Sequence, residues 1–138
     1  MKVAFDTNIL VRLFVADDAL QLEAARGVLR DAETIAVPIV ALCEAVWVMR
    51  KAYKLPFAEV ADHLDLFLAD ERVRYDRTLA AGGIALLRAG GDFADAVIAA
   101  DGRRLGADRL VTFDQQAARL LEQTGELVLL LDAAAPNR

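Results

Sequence analysis

The sequence predicts an α/β domain organised around a buried, mostly parallel sheet. Three observations carry that prediction. Short β-branched, apolar runs alternate along the chain with longer segments of helical spacing. The runs are continuously oily instead of alternating with polar residues, as expected of strands covered on both faces. Two of them, "KVAFD" and "LVTFD", drive straight into an aspartate, Asp6 and Asp114, where a strand gives way to a helix.

Taken in order, residues 2–5 read as a strand, and a helix opens at Thr7 and runs to about Val15. "DDALQLEAARGVLRDA" has helical spacing, with Leu20, Ala24 and Leu29 facing one way and Glu23, Arg26 and Arg30 in solvent. Thr34–Val37 is a short strand, and Pro38 suits the first turn of a helix from about Ile39 to Tyr53. Pro56 precedes a helix over Phe57–Leu68, and "RVRYD" reads as a weak strand ending at Asp76. A helix over Thr78–Ala89 is broken by Gly90-Gly91, and the next, Asp92–Leu105, is closed by Gly106. "RLVTF" is a strand, Gln115–Gln123 a helix and "ELVLLL" the last strand. With no internal repeat or linker, the expected organisation is one domain over residues 1–132 and a frayed tail over 133–138.

Composition bounds the function. A chain of 138 residues, 57% apolar and 27% charged, is globular and long enough to bury a core without staples. No apolar run approaches the roughly 18–20 residues that cross a bilayer, so no membrane partner is expected. Met1-Lys2 leads directly into a strand, so no signal-peptide core is expected either. The single cysteine, Cys43, excludes an internal disulfide, reads as a core thiol and fits a cytoplasmic location. A net charge of −5 argues against simple electrostatic binding of nucleic acid, unless several carboxylates are gathered around a cation. The arginine clusters Arg72, Arg74, Arg77 and Arg103, Arg104, Arg109 read as solvated faces.

The acids are the informative residues. In open parallel sheets function collects beyond the carboxyl ends of the strands, where Asp6 and Asp114 stand. Each has a plainer reading as a helix N-cap, worth about 1 kcal/mol. Glu44 interrupts "IVALCEAVWVM", where nearly every neighbour is apolar, so an enclosed carboxylate needing a partner or a metal is expected. In "GGDFADAVIAA", Asp92 follows the two glycines and is the better cap, which leaves Asp95 as the site candidate; Asp101 is expected in solvent. Four converging carboxylates would repel one another, by about 3 kcal/mol per pair at 5 Å and an effective dielectric near 20. Oxygen-only donors select Mg2+ or Mn2+ over zinc. The one histidine, His63, lies among Asp62 and Asp65 and reads as exposed. No glycine-rich phosphate loop occurs, no serine exists in the chain, and Cys43 has no histidine close in sequence, which disfavours nucleophilic catalysis.

"FDTNIL", a glutamate in the third helix, "DFADAVIAA" and "LVTFD" together resemble the PIN-domain ribonucleases, and most closely their VapC-like branch, the toxins of type II toxin–antitoxin pairs. The likeness covers nearly the whole chain, and its strength lies in the ordered set of four motifs. It implies a three-layer α/β/α sandwich with a central four- to five-stranded parallel sheet, and Mg2+- or Mn2+-dependent hydrolysis of RNA phosphodiesters. Carried over by position, the acidic site falls on Asp6, Glu44, Asp95 and Asp114, all as metal ligands, with Glu44 alternatively orienting the attacking water. Asn8, Asp92 and Thr112 match accessory positions. The resemblance also implies a homodimer inhibited by an antitoxin protein. Leu10, Phe14, Trp47 and Tyr53 are candidates for the groove that takes it, and Leu13 and Trp47 for the dimer contact. Two alternatives stand beside this: a PIN-like module that binds RNA or protein without cutting, and a metal-dependent phosphatase of the haloacid-dehalogenase kind. The phosphatase would need an acid where Asn8 stands.

Overall fold

The computed structural model describes residues 1–132; the tail expected to fray, 133–138, lies outside the described residues. Two compact units divide the chain, Met1–Ala80 and the part from Ala81 onward. The first holds β1 (Lys2–Ala4), α1 (Thr7–Phe14), α2 (Ala19–Asp31), β2 (Thr34–Ala36), α3 (Ile39–Lys51), α4 (Phe57–Leu68) and β3 (Val73–Arg74). Its sheet runs β1-β2-β3, parallel throughout, with Val3 opposite Ile35 and Ile35 opposite Val73. After α5 (Arg77–Arg88) the second unit holds α6 (Phe93–Arg104), β4 (Leu110–Thr112), α7 (Gln115–Gln123) and β5 (Val128–Leu130), and β4 pairs with β5, again parallel. The α/β class, the helices alternating with strands and the parallel pairing are as the sequence predicts.

Proline and glycine punctuate these elements as their backbones require. Pro38 and Pro56 sit one residue earlier than a first helical turn, as the extended N-caps of α3 and α4, where their missing N–H costs nothing. Gly90, with φ +90, closes α5 in the left-handed region as its N–H reaches the carbonyl of Leu87. Among the described residues no helix is long and apolar enough to cross a membrane.

The first unit's core is Leu10 and Val11 of α1, Ile35 of β2, Leu42, Val46 and Met49 of α3, and Val60 and Leu64 of α4, all at most 1% exposed. Three expectations are corrected here. In α2 the buried residue is Ala25, with Leu22, Val28 and Leu29 half-buried, while Leu20 and Ala24 are exposed; the helix is rotated from the expected face. Cys43 is half-buried, not a core thiol. His63 is also half-buried, stacked on Phe14 with ring centroids 5.7 Å apart.

Nor is Arg72 solvated. Its Nη1 donates to the carbonyls of Leu29 (2.7 Å) and Ala32 (3.1 Å), while Nε and Nη2 grip Asp70 at 3.1 and 2.8 Å. The guanidinium thus satisfies carbonyls that the end of α2 leaves open, and its hydrogen bonds hold the Asp70 carboxyl below the ordinary range.

In the second unit Leu86, Ala96, Ala99, Leu120 and Leu121 form a core against which Leu110 and Val128 of the strand pair lie. Gly83 is there for close approach: a β-carbon at that position would fall 2.5 Å from ring atoms of Phe93, which is fully buried and has nowhere to retreat. Gly83→Ala is expected to destabilise the protein by roughly 1–3 kcal/mol through overpacking. Urea unfolding of Gly83→Ala, alone and combined with Phe93→Leu, checks this: the smaller side chain should make the alanine less costly.

Candidate active site

The strand-end aspartates are both helix caps. The chain leaves β1 through buried Phe5, and Asp6 turns it into α1 by accepting the N–H of Ile9 on Oδ1 at 3.0 Å. Asp114 does the same for α7, accepting from the N–H of Ala117 at 3.0 Å. Thr112 steadies that turn, its Oγ1 accepting the N–H of Asp114 at 3.0 Å. Capping does not use up either carboxylate. It engages one oxygen, and a carboxylate has about four acceptor positions.

Glu44 differs from expectation. It is exposed, not enclosed. α3 buries Ala41, Leu42, Ala45, Val46 and Met49, and its opposite stripe carries Val40, Glu44 and Trp47, with Val40 66% and Trp47 57% exposed. Leu42, Ala45 and Val46 are buried on the other face, so the oily run around Glu44 in sequence does not enclose it. What holds the glutamate is Thr7, whose Oγ1 donates to Oε2 at 2.8 Å. Since Thr7 follows Asp6, the start of α1 joins the two acids of the first unit. Sequence reading takes Thr7 only as a helix opener, and no local signal reveals a contact spanning 37 residues. Asn8 is exposed one residue further on, and with Asp6 it borders an open groove of about 650 Å³ lined by β1, α1 and α2.

In the second unit Asp92 caps α6, accepting the N–H of Ala94 at 3.2 Å, and Asp95 lies half-buried in the first turn between buried Phe93 and Ala96. Burial pushes the Asp95 carboxyl up to about 6, and the charges of Asp92 and then Asp114 push the same way. Asp92 and Asp114 are therefore both close enough to act on Asp95, while Asp101 is exposed.

Among the described residues, no three His, Cys, Asp or Glu side chains close into a group able to hold a metal ion. Within the first unit Thr7 ties Glu44 to the turn that carries Asp6, and within the second Asp92 and Asp114 act on Asp95. Their donor chemistry still fits a hard dication, being all oxygen, and the like-charge pressure on Asp95 is of the kind a cation relieves.

Two candidate groove residues are reassigned. Leu10 is completely buried and lines no groove. The Tyr53 hydroxyl donates to Asp17 at 2.5 Å and accepts from Arg12 at 3.2 Å, which pins the end of α3 to α1. Phe14 stands half-buried, edge-on to Phe67 with centroids 5.5 Å apart, and Trp47 is the exposed one of the four.

The raised Asp95 carboxyl gives a pH dependence of definite sign. The folded protein holds that proton more tightly than the unfolded chain does. Its contribution to stability is therefore full below the ordinary value near 3.8 and lost as pH rises through about 6. Thermal unfolding of wild type and Asp95→Asn without divalent ions, between pH 4 and 7, should show the variant gaining on wild type across that window and then levelling off. A constant difference between the two would refute the shift.

Against models of known families the chain matches the PIN domain over residues 3–122. No curated protein matches it. Among solved structures, it is similar to the crystal structure of VapBC2 from Rickettsia felis bound to a DNA fragment from their promoter. That likeness has a TM-score of 0.38 and 20% identity and covers 96% of this chain and 100% of that one. PIN domains are generally nucleases that use divalent metal ions. With the family match running through both compact units, the chain belongs to the PIN-domain family.

Proposed function

We propose that this protein is a Mg2+- or Mn2+-dependent endoribonuclease that acts as the toxin of a toxin–antitoxin pair, with residues 1–132 as one functional domain. The observation carrying the nuclease reading is the state of Asp95: a half-buried carboxyl pressed by Asp92 and Asp114, in a chain of a family whose members are generally nucleases. Asp6, Asp95 and Asp114 would hold the ion, with Glu44 as a further ligand or as the orienter of water. When bound, the ion supplies positive charge that stabilises the phosphorus transition state and eases deprotonation of water.

The chain's own residues have separate tasks in this reading. The caps at Ile9 and Ala117 restrict the rotamers of Asp6 and Asp114, so both carboxylates are presented with little ordering left to do. Glu44, with Oε2 engaged by Thr7, keeps lone pairs that accept an O–H of the attacking water. The water oxygen bonds to phosphorus as the bond from phosphorus to the leaving ribose oxygen breaks. The water proton passes to a carboxylate, and the leaving oxygen takes one from solvent.

The ordered motifs shared with VapC-like toxins support a cytoplasmic homodimer held in check by a cognate antitoxin protein. The alternative is a PIN-like module that binds RNA or protein without cutting. Titration with Mn2+ in a calorimeter separates the readings, since a non-cutting module has no reason to take up the ion.

Asp6→Asn, Glu44→Gln, Asp95→Asn and Asp114→Asn are each expected to lower metal-dependent RNA cleavage about a hundredfold or more, the scale of one transition-state contact. Far-UV circular dichroism should show the fold intact. Full activity in Asp95→Asn with loss in Asp92→Asn would exchange the roles of that pair. Expression of wild type should arrest growth, and Asp6→Asn should relieve it.

A further inference from the structure

We infer that Thr7 is a positioning residue for Glu44. The inference rests on the proposed nuclease reading for what Glu44 does there, and on a contact within the first unit for how it is held. Glu44 projects from the exposed stripe of α3, between Val40 and Trp47, which are both largely in solvent. Packing alone therefore leaves its long side chain free to sample several rotamers. The Thr7 hydroxyl, 2.8 Å from Oε2, selects among them through a charge-assisted hydrogen bond.

Thr7 is suited to the task because its own position is set from both sides. Asp6 caps the helix at Ile9, which fixes the backbone through Thr7, and a β-branched side chain in a helix has few χ1 choices. α1 and α3 pack closely, and Leu10 and Val11 of the one and Leu42, Ala45 and Val46 of the other are all at most 1% exposed. Donor and acceptor thus ride on two helices that cannot easily shift apart. The bond also gives the two oxygens different work: Oε2 is held by Thr7, and the rest of the carboxylate's acceptor capacity remains for water or an ion.

Thr7→Val keeps the branched shape and removes the donor, whereas Thr7→Ser keeps the donor. With an RNA oligonucleotide and Mn2+, Thr7→Val is expected to lower kcat about ten- to a hundredfold, the scale of one hydrogen bond to a charged group, with KM unchanged. Thr7→Ser should return to within about threefold of wild type. A second readout needs no turnover: in the metal-free protein, the carboxylate resonance of 13C-labelled Glu44 should lose its order in Thr7→Val and retain it in Thr7→Ser. Wild-type kcat in Thr7→Val, or an unchanged Glu44 resonance, overturns the proposal. Loss of activity together with a lowered unfolding midpoint that Thr7→Ser does not restore also overturns it, because Thr7 would then be structural. A wild type that neither cuts RNA nor binds Mn2+ sinks the nuclease reading and with it the task assigned to Glu44. The resonance alone then decides whether Thr7 orders that side chain.

Discussion

β1, β2, β3 and β4 each hand the chain to a helix, and the first turn of a helix leaves backbone N–H groups without partners. Aspartate meets that need. Asp6 follows β1, Asp76 follows β3 and Asp114 follows β4, and each accepts an N–H three residues on, at 3.0 Å. Each such cap is worth about 1 kcal/mol, so carboxylates accumulate beyond strand ends for reasons of folding alone. The same place in a parallel sheet is where chemistry collects. Capping and catalysis therefore draw on one set of residues, and a cap cannot by itself mark a site. Asp76 has the cap of Asp6 and Asp114 without belonging to the motifs of the family.

What separates the candidate acids is how their charge is accommodated. Glu44 is exposed and held by a hydroxyl. Asp95 is half-buried, with two further carboxylates acting on it, and its ionised form is disfavoured. The first arrangement presents a carboxylate ready to accept a hydrogen bond. The second stores electrostatic pressure that an incoming cation would release.

Three of the positive charges are engaged in ion pairs. Arg12 pairs with Asp17 at 2.8 Å, Arg72 with Asp70 at 2.8 Å and Arg103 with Glu126 at 2.6 Å. Three arginines in an acidic chain are thereby occupied with fastening helix ends and loops.

By itself the sequence determined the succession of strands and helices, the parallel pairing and the aspartate caps. The elements and caps follow from apolar patterning, from proline and glycine punctuation and from contacts within four residues, and the parallel pairing from the alternation of strands with crossover helices. The family likeness was legible for the same reason, since its motifs are short segments at strand ends and helix starts. Burial was legible only in part: Glu23, Arg26, Arg30 and Asp101 are exposed as their charge suggests. Glu44 looked enclosed because its sequence neighbours are oily, yet Val40 and Trp47 lie on the same exposed stripe. The buried face of α2 and the latch at Arg72 likewise depend on which neighbours arrive. Only the tertiary structure could put the Thr7 hydroxyl against a glutamate 37 residues away, because that contact is made by two helices packing and not by any pattern within either one.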